Sequence, residues 1–176
     1  DDRLSVLVGE YMGNDGVLFN EESDIIKHGN TYSGAVPVKY GEDPESTGDG
    51  SQIDWIVYRY ADVLTLLSEA IVRQGNSVTQ EAVDLLNQIR VRAKLSPYTM
   101  GDIKGVDDFL DKMLQERGHE FWWEGNRRAD LIRHGKFIQN AIDRGSTTTK
   151  PEFVLFPLPQ AVINEGKGII IQNPGY

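Results

Sequence analysis

The chain has 176 residues, of which 39% are hydrophobic and 26% are charged, and its formal net charge is −9. This length and composition predict a single folded domain over residues 1–176 with a sizeable core. The acidic balance argues against nucleic acid and anionic lipid as partners. Because the chain contains no cysteine, disulfides, thiolate metal sites and cysteine nucleophiles are excluded.

Residues 1–54 are predicted to form an irregular, loop-rich segment. Turn signals are dense, and only residues 5–8, 17–19 and 35–40 have extended character. Residues 41–54 are polar and acidic, which is typical of a solvated loop. Their oxygen ligands lack the spacing of an EF-hand, so calcium is possible here but unsupported, and no other cofactor is predicted.

Residues 55–95 are predicted to form a helical hairpin, because apolar residues recur there at steps of three and four. Gly75 suits a helix end, and Thr79 can cap the second helix. The first apolar stripe contains Ile56, Tyr60, Val63, Leu64, Leu67, Ala70 and Ile71. The second contains Ala82, Leu85, Leu86, Ile89 and Ala93.

The hairpin has the spacing of one tetratricopeptide unit. Ala70 and Ala82 occupy the small-residue positions at which two helix backbones approach closely. A single such pair cannot cover its own apolar face, since about three units are needed for a stable stack. We therefore expect this face to dock on other polypeptide.

Further helices are predicted over residues 106–123, 127–134 and 136–144, and an extended tail over residues 151–176. The tail contains a short helical turn at residues 160–164. Pro157 and Pro159 exclude a helix in the apolar run before it, which is predicted to be extended. The predicted fold class is thus mainly α, with a tetratricopeptide-like hairpin, additional helices and short extended segments.

Four sequence blocks in this order resemble the SusD/RagB family. They are YRYADVL at 58–64 with its partner helix at 82–93, the ER-x-x-E … DLIR-x-GKF region at 116–137, LFPLP at 155–159 and QNPGY at 172–176. The resemblance covers nearly the whole chain. It extends over only the C-terminal third of a usual family member, so the chain is expected to be a C-terminal region.

The resemblance implies a cell-surface lipoprotein of the Gram-negative outer membrane that binds a glycan or another nutrient without catalysis. It also implies a SusC-like TonB-dependent transporter as partner, with the protein as its lid. The lipid anchor would lie outside this chain, and that anchor would be the only link to the membrane.

Aromatic side chains are the candidates for glycan contact, because a flat ring stacks on the apolar face of a pyranose. Tyr32, Tyr40 and Trp55 are the candidate ligand-binding residues, since loops carry binding groups more often than helix interiors. Trp122 and Trp123 are assigned to packing, because neighbouring residues of a helix point about 100° apart and cannot both face one ligand.

Charged residues between 116 and 130 are predicted to form a buried structural ionic network. Its members are Glu116, Arg117, Glu120, Arg127 and Asp130, and it is expected to lock the third and fourth helices together. Glu116 with Glu120 could also be a glycosidase pair, and Glu116 with His119 is half of a di-iron motif. No second copy of that motif exists, so no catalytic residue and no metal ligand are predicted.

Two other functions remain open from the sequence. One is a tetratricopeptide-like protein–protein interaction module without glycan binding, and the other is a glycoside hydrolase. Binding to a polysaccharide panel and sugar release would separate them from the leading hypothesis.

Overall fold

The computed structural model describes residues 1–13, 16, 18–19, 36–41, 43–47 and 50–176. In this part of the chain the fold is mainly helical, as predicted. The helices are α1 (Tyr60–Gly75), α2 (Gln80–Arg92), α3 (Val106–Glu120), α4 (Arg127–Arg133), α5 (Phe137–Asp143) and α6 (Gln160–Glu165). The strands are β1 (Leu7–Val8), β2 (Tyr11–Met12), β3 (Leu18–Phe19) and β4 (Val36–Pro37).

The chain divides into two compact units, Asp1–Glu124 and Gly125–Tyr176. Each is described separately, and the single domain remains a prediction. In the first unit β1 pairs with β4 and β2 pairs with β3, both antiparallel. In the described part of the chain, no helix has the length and apolar character required to cross a bilayer.

Helices α1 and α2 form the predicted hairpin, with α3 packed against it. Thr79 caps α2, its side chain accepting from the Ala82 amide at 3.2 Å. At the end of α1 the left-handed residue is Asn76 (φ 44°), whereas Gly75 still belongs to the helix. Asparagine tolerates this conformation, so the helix ends one residue later than the glycine predicts.

The core of the first unit lies between α1, α2 and α3. Leu86, Phe109 and Met113 are fully buried there, and burial of each such side chain contributes about 1.5–3 kcal/mol. The α2 stripe is confirmed as the core-facing side, since Ala82, Leu86, Ile89 and Ala93 are buried and Leu85 is half-buried.

The apolar stripe predicted for α1 is only partly the buried face. Leu64 is buried and Ile71 packs against the core, while Tyr60, Val63 and Leu67 are exposed. The buried face of α1 is partly polar and its side chains find partners: Thr65 donates to the Ala61 carbonyl at 2.9 Å. Periodicity counts apolar side chains, and it misses polar ones whose hydrogen bonds are satisfied inside the core.

The close approach of the two helices also differs from the prediction. Ala82 is fully buried, as expected, but Ala70 is exposed. Ser68 takes the facing position and donates from Oγ to the Ala82 carbonyl at 2.6 Å. A small side chain is still required there, and here it adds a buried hydrogen bond between the helices.

Helix α3 ends at Glu120, three residues before the predicted end. Phe121 follows as its cap, and its amide still donates to the Arg117 carbonyl at 2.9 Å. Trp123 then adopts a left-handed backbone with φ 66°. The helical geometry that assigned both Trp122 and Trp123 to packing therefore does not apply at these positions.

The second unit contains α4, α5 and α6 and the C-terminal segment. Arg128 organises it by donating to the carbonyls of Phe153 (3.2 Å) and Val154 (3.0 Å) while its guanidinium lies 3.9 Å from the Phe156 ring centroid. Pro151–Val154 forms a 3-10 turn, so the extended run begins only at Leu155. Proline suits the first position of such a turn, which explains the later start.

Candidate ligand-binding site

Three buried carboxylates lie along and just beyond the last turn of α3. Glu116, Glu120 and Glu124 have exposures of 2%, 1% and 7%. We call them, together with the cations that bind them, the ionic cluster. Carboxylates at this depth are stable only when cations and hydrogen bonds replace their hydration.

Arg59 is the central cation of the cluster. Its Nε and Nη2 donate to the two carboxylate oxygens of Glu124, at 2.8 and 2.9 Å. Its Nη1 donates to Glu120 Oε1 at 2.6 Å. Because Arg59 is also the residue that precedes α1, it ties the start of the hairpin to the end of α3.

Further cations surround the same carboxylates. Lys39 binds Glu124 and donates to the Glu120 carbonyl at 2.6 Å. Arg3 and Arg90 bind Glu116 at 2.7 and 2.6 Å. Both Arg3 and Arg92 contact Glu120 Oε2. Among the described residues, five cations thus neutralise three carboxylates.

The protonation equilibria follow from this geometry. Burial opposes ionisation of Glu124, but hydrogen bonds from Arg59 and Lys39 outweigh it and hold the pKa of Glu124 below its ordinary value. Burial likewise opposes the charge of Arg59, and the carboxylates of Glu124 and Glu120 raise the pKa of Arg59 above its usual value. Both groups are therefore charged at neutral pH.

Of the residues predicted for the ionic network, Glu116, Arg117 and Glu120 lie in the first unit, all of them buried; Glu116 and Glu120 belong to the ionic cluster, and the network as predicted stays a prediction. Arg117 is buried and binds Asp62 at 3.2 Å and the Thr65 hydroxyl. The sequence does not predict the cations at residues 3, 39, 59, 90 and 92 as partners of the cluster, because they are remote from it in sequence. The sequence signal that could have indicated them is YRYAD at residues 58–62, which contains both Arg59 and Asp62.

The remaining members lie in the second unit. Asp130 is buried and binds Arg133 at 2.7 Å, whereas Arg127 lies at the surface. Partial desolvation lowers the pKa of Arg127, and the Asp130 carboxylate opposes this effect. A network that joins the third and fourth helices remains a prediction.

Two of the three aromatic candidates contact each other. The rings of Tyr40 and Trp55 are stacked with their centroids 5.1 Å apart and their planes at 24°. Trp55 is 56% exposed despite this contact. Partial desolvation and the nearby Glu124 carboxylate raise the pKa of Tyr40, which keeps its hydroxyl protonated. Tyr32 lies outside the described residues.

A cavity of about 560 Å³ opens in the first unit. Charged side chains form part of its wall, and the apolar part comes mainly from the N-terminal turn and strand. The lining residues are Asp1, Asp2, Arg3, Leu4, Val6, Leu7, Lys39, Arg59, Arg92, Ala93, Gly118, His119, Glu120 and Trp122. The cavity therefore borders the ionic cluster directly.

Trp122 lines this cavity and Trp123 is its ring neighbour, and the packing role predicted for Trp123 is wrong. Trp123 is 60% exposed. Its ring centroid lies 5.9 Å from that of Trp122, which lines the cavity wall. A bulky residue in the left-handed region costs on the order of 1–3 kcal/mol, so the surrounding fold must hold this indole outward.

In the acidic loop at residues 41–54, the Asp43 carboxylate forms hydrogen bonds within the loop itself. Asp43 accepts from the amides of Glu45 (3.0 Å) and Gln52 (2.6 Å) and from the Ser51 hydroxyl (3.0 Å). The Gln52 amide is the main reason that the pKa of Asp43 lies below its ordinary value. No group of three or more metal-binding side chains occurs among the residues described, and calcium binding remains untested.

The chain is similar to proteins of a known family. The SusD family model matches residues 7–176. The starch-binding protein SusD of Bacteroides thetaiotaomicron is 27% identical over 165 residues, which cover 90% of this chain and 27% of that protein. This chain therefore spans about a quarter of the length of that curated relative.

Solved structures of other proteins are similar to this chain in fold. A SusD superfamily protein of Parabacteroides distasonis has a TM-score of 0.70 at 23% identity over 99% of this chain and 39% of its own, a similarity that shows the fold alone. Surface glycan-binding protein A of Bacteroides thetaiotaomicron, in complex with laminarihexaose, has a TM-score of 0.54 at 29% identity over 70% of this chain and 26% of its own. With the family model matched along almost the full chain, the protein belongs to the SusD family.

Proposed function

We propose that this chain is part of a non-catalytic glycan-binding protein of the Gram-negative cell surface. It captures a glycan and passes it to a SusC-like TonB-dependent outer-membrane transporter. A lipid anchor outside this chain would hold the protein at the membrane. Family membership supports this proposal, as do the names of relatives that bind starch or are seen with laminarihexaose.

The observation that supports glycan contact by this chain is the stack of Tyr40 and Trp55. Tyr40 covers one face of the indole, yet Trp55 remains more than half exposed, so we infer that the opposite face is open. A pyranose can stack on that face with its C–H groups against the ring. Tyr40 would fix the orientation of the indole before the sugar arrives, which reduces the entropy lost on binding.

The binding experiment compares two aromatic substitutions. Trp55→Ala should weaken the binding of laminarihexaose or maltohexaose, measured by titration calorimetry, by about tenfold or more. Tyr58→Ala is the matched control, because Tyr58 is 78% exposed and lies outside the stack. Equal affinities of the wild-type chain and the Trp55→Ala variant for both sugars would remove this platform from the proposal.

Absence of catalysis is supported by the state of the carboxylates. A glycosidase acid requires a raised pKa, whereas the pKa of Glu124 is lowered by Arg59 and Lys39. In the Glu116–Glu120 pair, both oxygens of Glu120 are already bound by arginines, and Glu116 binds Arg3 and Arg90. Reducing-sugar release from laminarin or starch at high protein concentration would contradict the proposal and favour the glycoside hydrolase.

Delivery to a transporter needs a separate test. The protein would be purified from detergent-solubilised outer membranes of the organism that encodes it. A TonB-dependent barrel present in stoichiometric amount is the expected result, and its absence would contradict the delivery step while leaving glycan binding unaffected. The alternative is a protein–protein interaction module that uses the exposed face of α1, with Tyr60, Val63 and Leu67. It is favoured if no polysaccharide binds and another protein binds firmly.

A further inference from the structure

We propose that the cavity beside the ionic cluster binds the anionic group of an acidic sugar, a carboxylate or a sulfate ester, and that Trp123 stacks on the same sugar. This inference rests on the proposed glycan-binding function and names a substrate class for it. It concerns a site separate from the Tyr40–Trp55 stack, neither of whose residues lines the cavity.

The first argument is that two of the three carboxylates lining the cavity, Glu120 and Asp1, are already engaged by arginines, while the third, Asp2, pairs with Lys94. Glu120 Oε1 is bound by Arg59, and Oε2 is bound by both Arg3 and Arg92. Asp1 accepts three hydrogen bonds from Arg3, one from the backbone amide and two from the guanidinium. At Glu120 and Asp1, a ligand that offers hydrogen-bond donors therefore finds few free acceptors.

The second argument is that Arg92 has N–H donors beyond the one that binds Glu120. Arg92 carries five N–H donors, and in the described part of the chain its one hydrogen bond goes to Glu120. Its side chain is 58% exposed and it lines the cavity. The guanidinium can thus present a second edge to a carboxylate or a sulfate, whose oxygens match its paired donors.

The cluster also contains more positive than negative charge. Arg3, Lys39, Arg59, Arg90 and Arg92 surround Glu116, Glu120 and Glu124. Asp1 binds Arg3, and Asp2 binds Lys94, so with these groups counted the excess is one positive charge. This excess is local, because the chain as a whole carries −9. An anion near Arg92 would complete the charge balance, whereas a neutral sugar would not.

The third argument comes from the two tryptophans. Trp122 forms part of the cavity wall, and the Trp123 ring centroid lies 5.9 Å from that of Trp122, with the two ring planes at 42°. Together they extend an aromatic surface from the wall to the exterior, where Trp123 is exposed. A sugar ring stacked on this surface can direct its charged substituent towards the arginine.

The test uses the full 176-residue chain and two matched pairs of probes. Trigalacturonic acid is compared with its methyl ester, and a sulfated galactan oligosaccharide with its desulfated form. Titration calorimetry at low salt should show at least a tenfold preference for the charged member of one pair, with affinity falling as salt rises. A preference within one pair identifies the group as carboxylate or sulfate.

Three variants locate the site. Arg92→Gln should weaken binding of the preferred probe by tenfold or more, and Trp123→Ala by about fivefold. Arg73→Gln should change it by less than twofold, because the Arg73 side chain is 43% exposed and pairs with Glu69, and neither residue lines the cavity. Thermal melting of each variant verifies folding, and Trp123→Ala with the salt series still decides the question if Arg92→Gln unfolds.

Equal binding of charged and neutral members in both pairs would overturn the proposal. So would equal losses in the Arg92→Gln and Arg73→Gln variants. Failure of the proposed function gives a different result from failure of this inference. If the Tyr40–Trp55 stack does not bind neutral glycans, Trp55→Ala will not change laminarihexaose binding, whereas Arg92→Gln will still weaken binding of the acidic probe.

Discussion

Arg59 and Glu124 stand 65 positions apart and form a two-pronged ion pair, with nitrogen–oxygen distances of 2.8 and 2.9 Å. Arg59 immediately precedes α1, and Glu124 follows the end of α3. The same guanidinium also holds Glu120. The pair therefore connects the helical hairpin to the third helix through groups that must remain charged.

Arg59→Gln should be strongly destabilising. It leaves two buried carboxylates short of a cation, and breaking a buried pair in this way costs about 3–5 kcal/mol. We expect the melting temperature to fall by roughly 6–20 °C for a chain of this size. Lys94→Gln removes an exposed ion pair and should cost less than about 1 kcal/mol. Similar melting curves for the two variants would contradict a structural role for the cluster.

Acid should destabilise the protein partly through Glu124. Its pKa is lower in the folded chain than the ordinary value of 4.5, because Arg59 and Lys39 outweigh the effect of burial. The ionised form thus contributes stability that is present above that value and is lost as the pH falls through the lower folded value. Glu124→Gln should be less stable at neutral pH and less sensitive to acid in chemical denaturation between about pH 5 and pH 3. The exposed Glu165→Gln serves as control, and an unchanged pH slope in Glu124→Gln would refute this origin.

Phe109→Ala should destabilise the first unit by about 3–5 kcal/mol, because Phe109 is fully buried between the helices and its loss leaves a cavity. Val91→Ala is the control, since Val91 lies on α2 and is 57% exposed. The free energy of unfolding from urea titrations measures both. A loss below about 1 kcal/mol for Phe109→Ala would show that the helices pack differently.

The same substitution at two alanines tests the helix contact directly. Ala82→Leu should cost about 1–3 kcal/mol or more, because Ala82 is fully buried and Ser68 bonds to its carbonyl. Ala70→Leu should stay within about 0.5 kcal/mol, because Ala70 is exposed. Equal costs would instead support the symmetric small-residue contact that the tetratricopeptide spacing predicts.

The aromatic candidates show how far local patterns extend. The sequence marks Tyr40 and Trp55 as candidates because they lie in predicted loops, and the fold brings their rings together. The sequence predicts packing for Trp123 because it predicts a helix up to that position, but α3 ends at Glu120. A shift of three residues changed the direction of one indole from the core to the exterior.

The sequence by itself determined the helical class, the core face of α2 and the family, because periodicity, capping residues and four ordered motifs are local properties of the chain. Only the tertiary structure decided that α1 buries Thr65 and Ser68 and leaves Val63 and Leu67 exposed. It also decided that Arg3, Lys39 and Arg92 meet at Glu120 and Glu124. The physical reason is that a buried polar group is stable only with its partner, and that partner can lie anywhere along the chain.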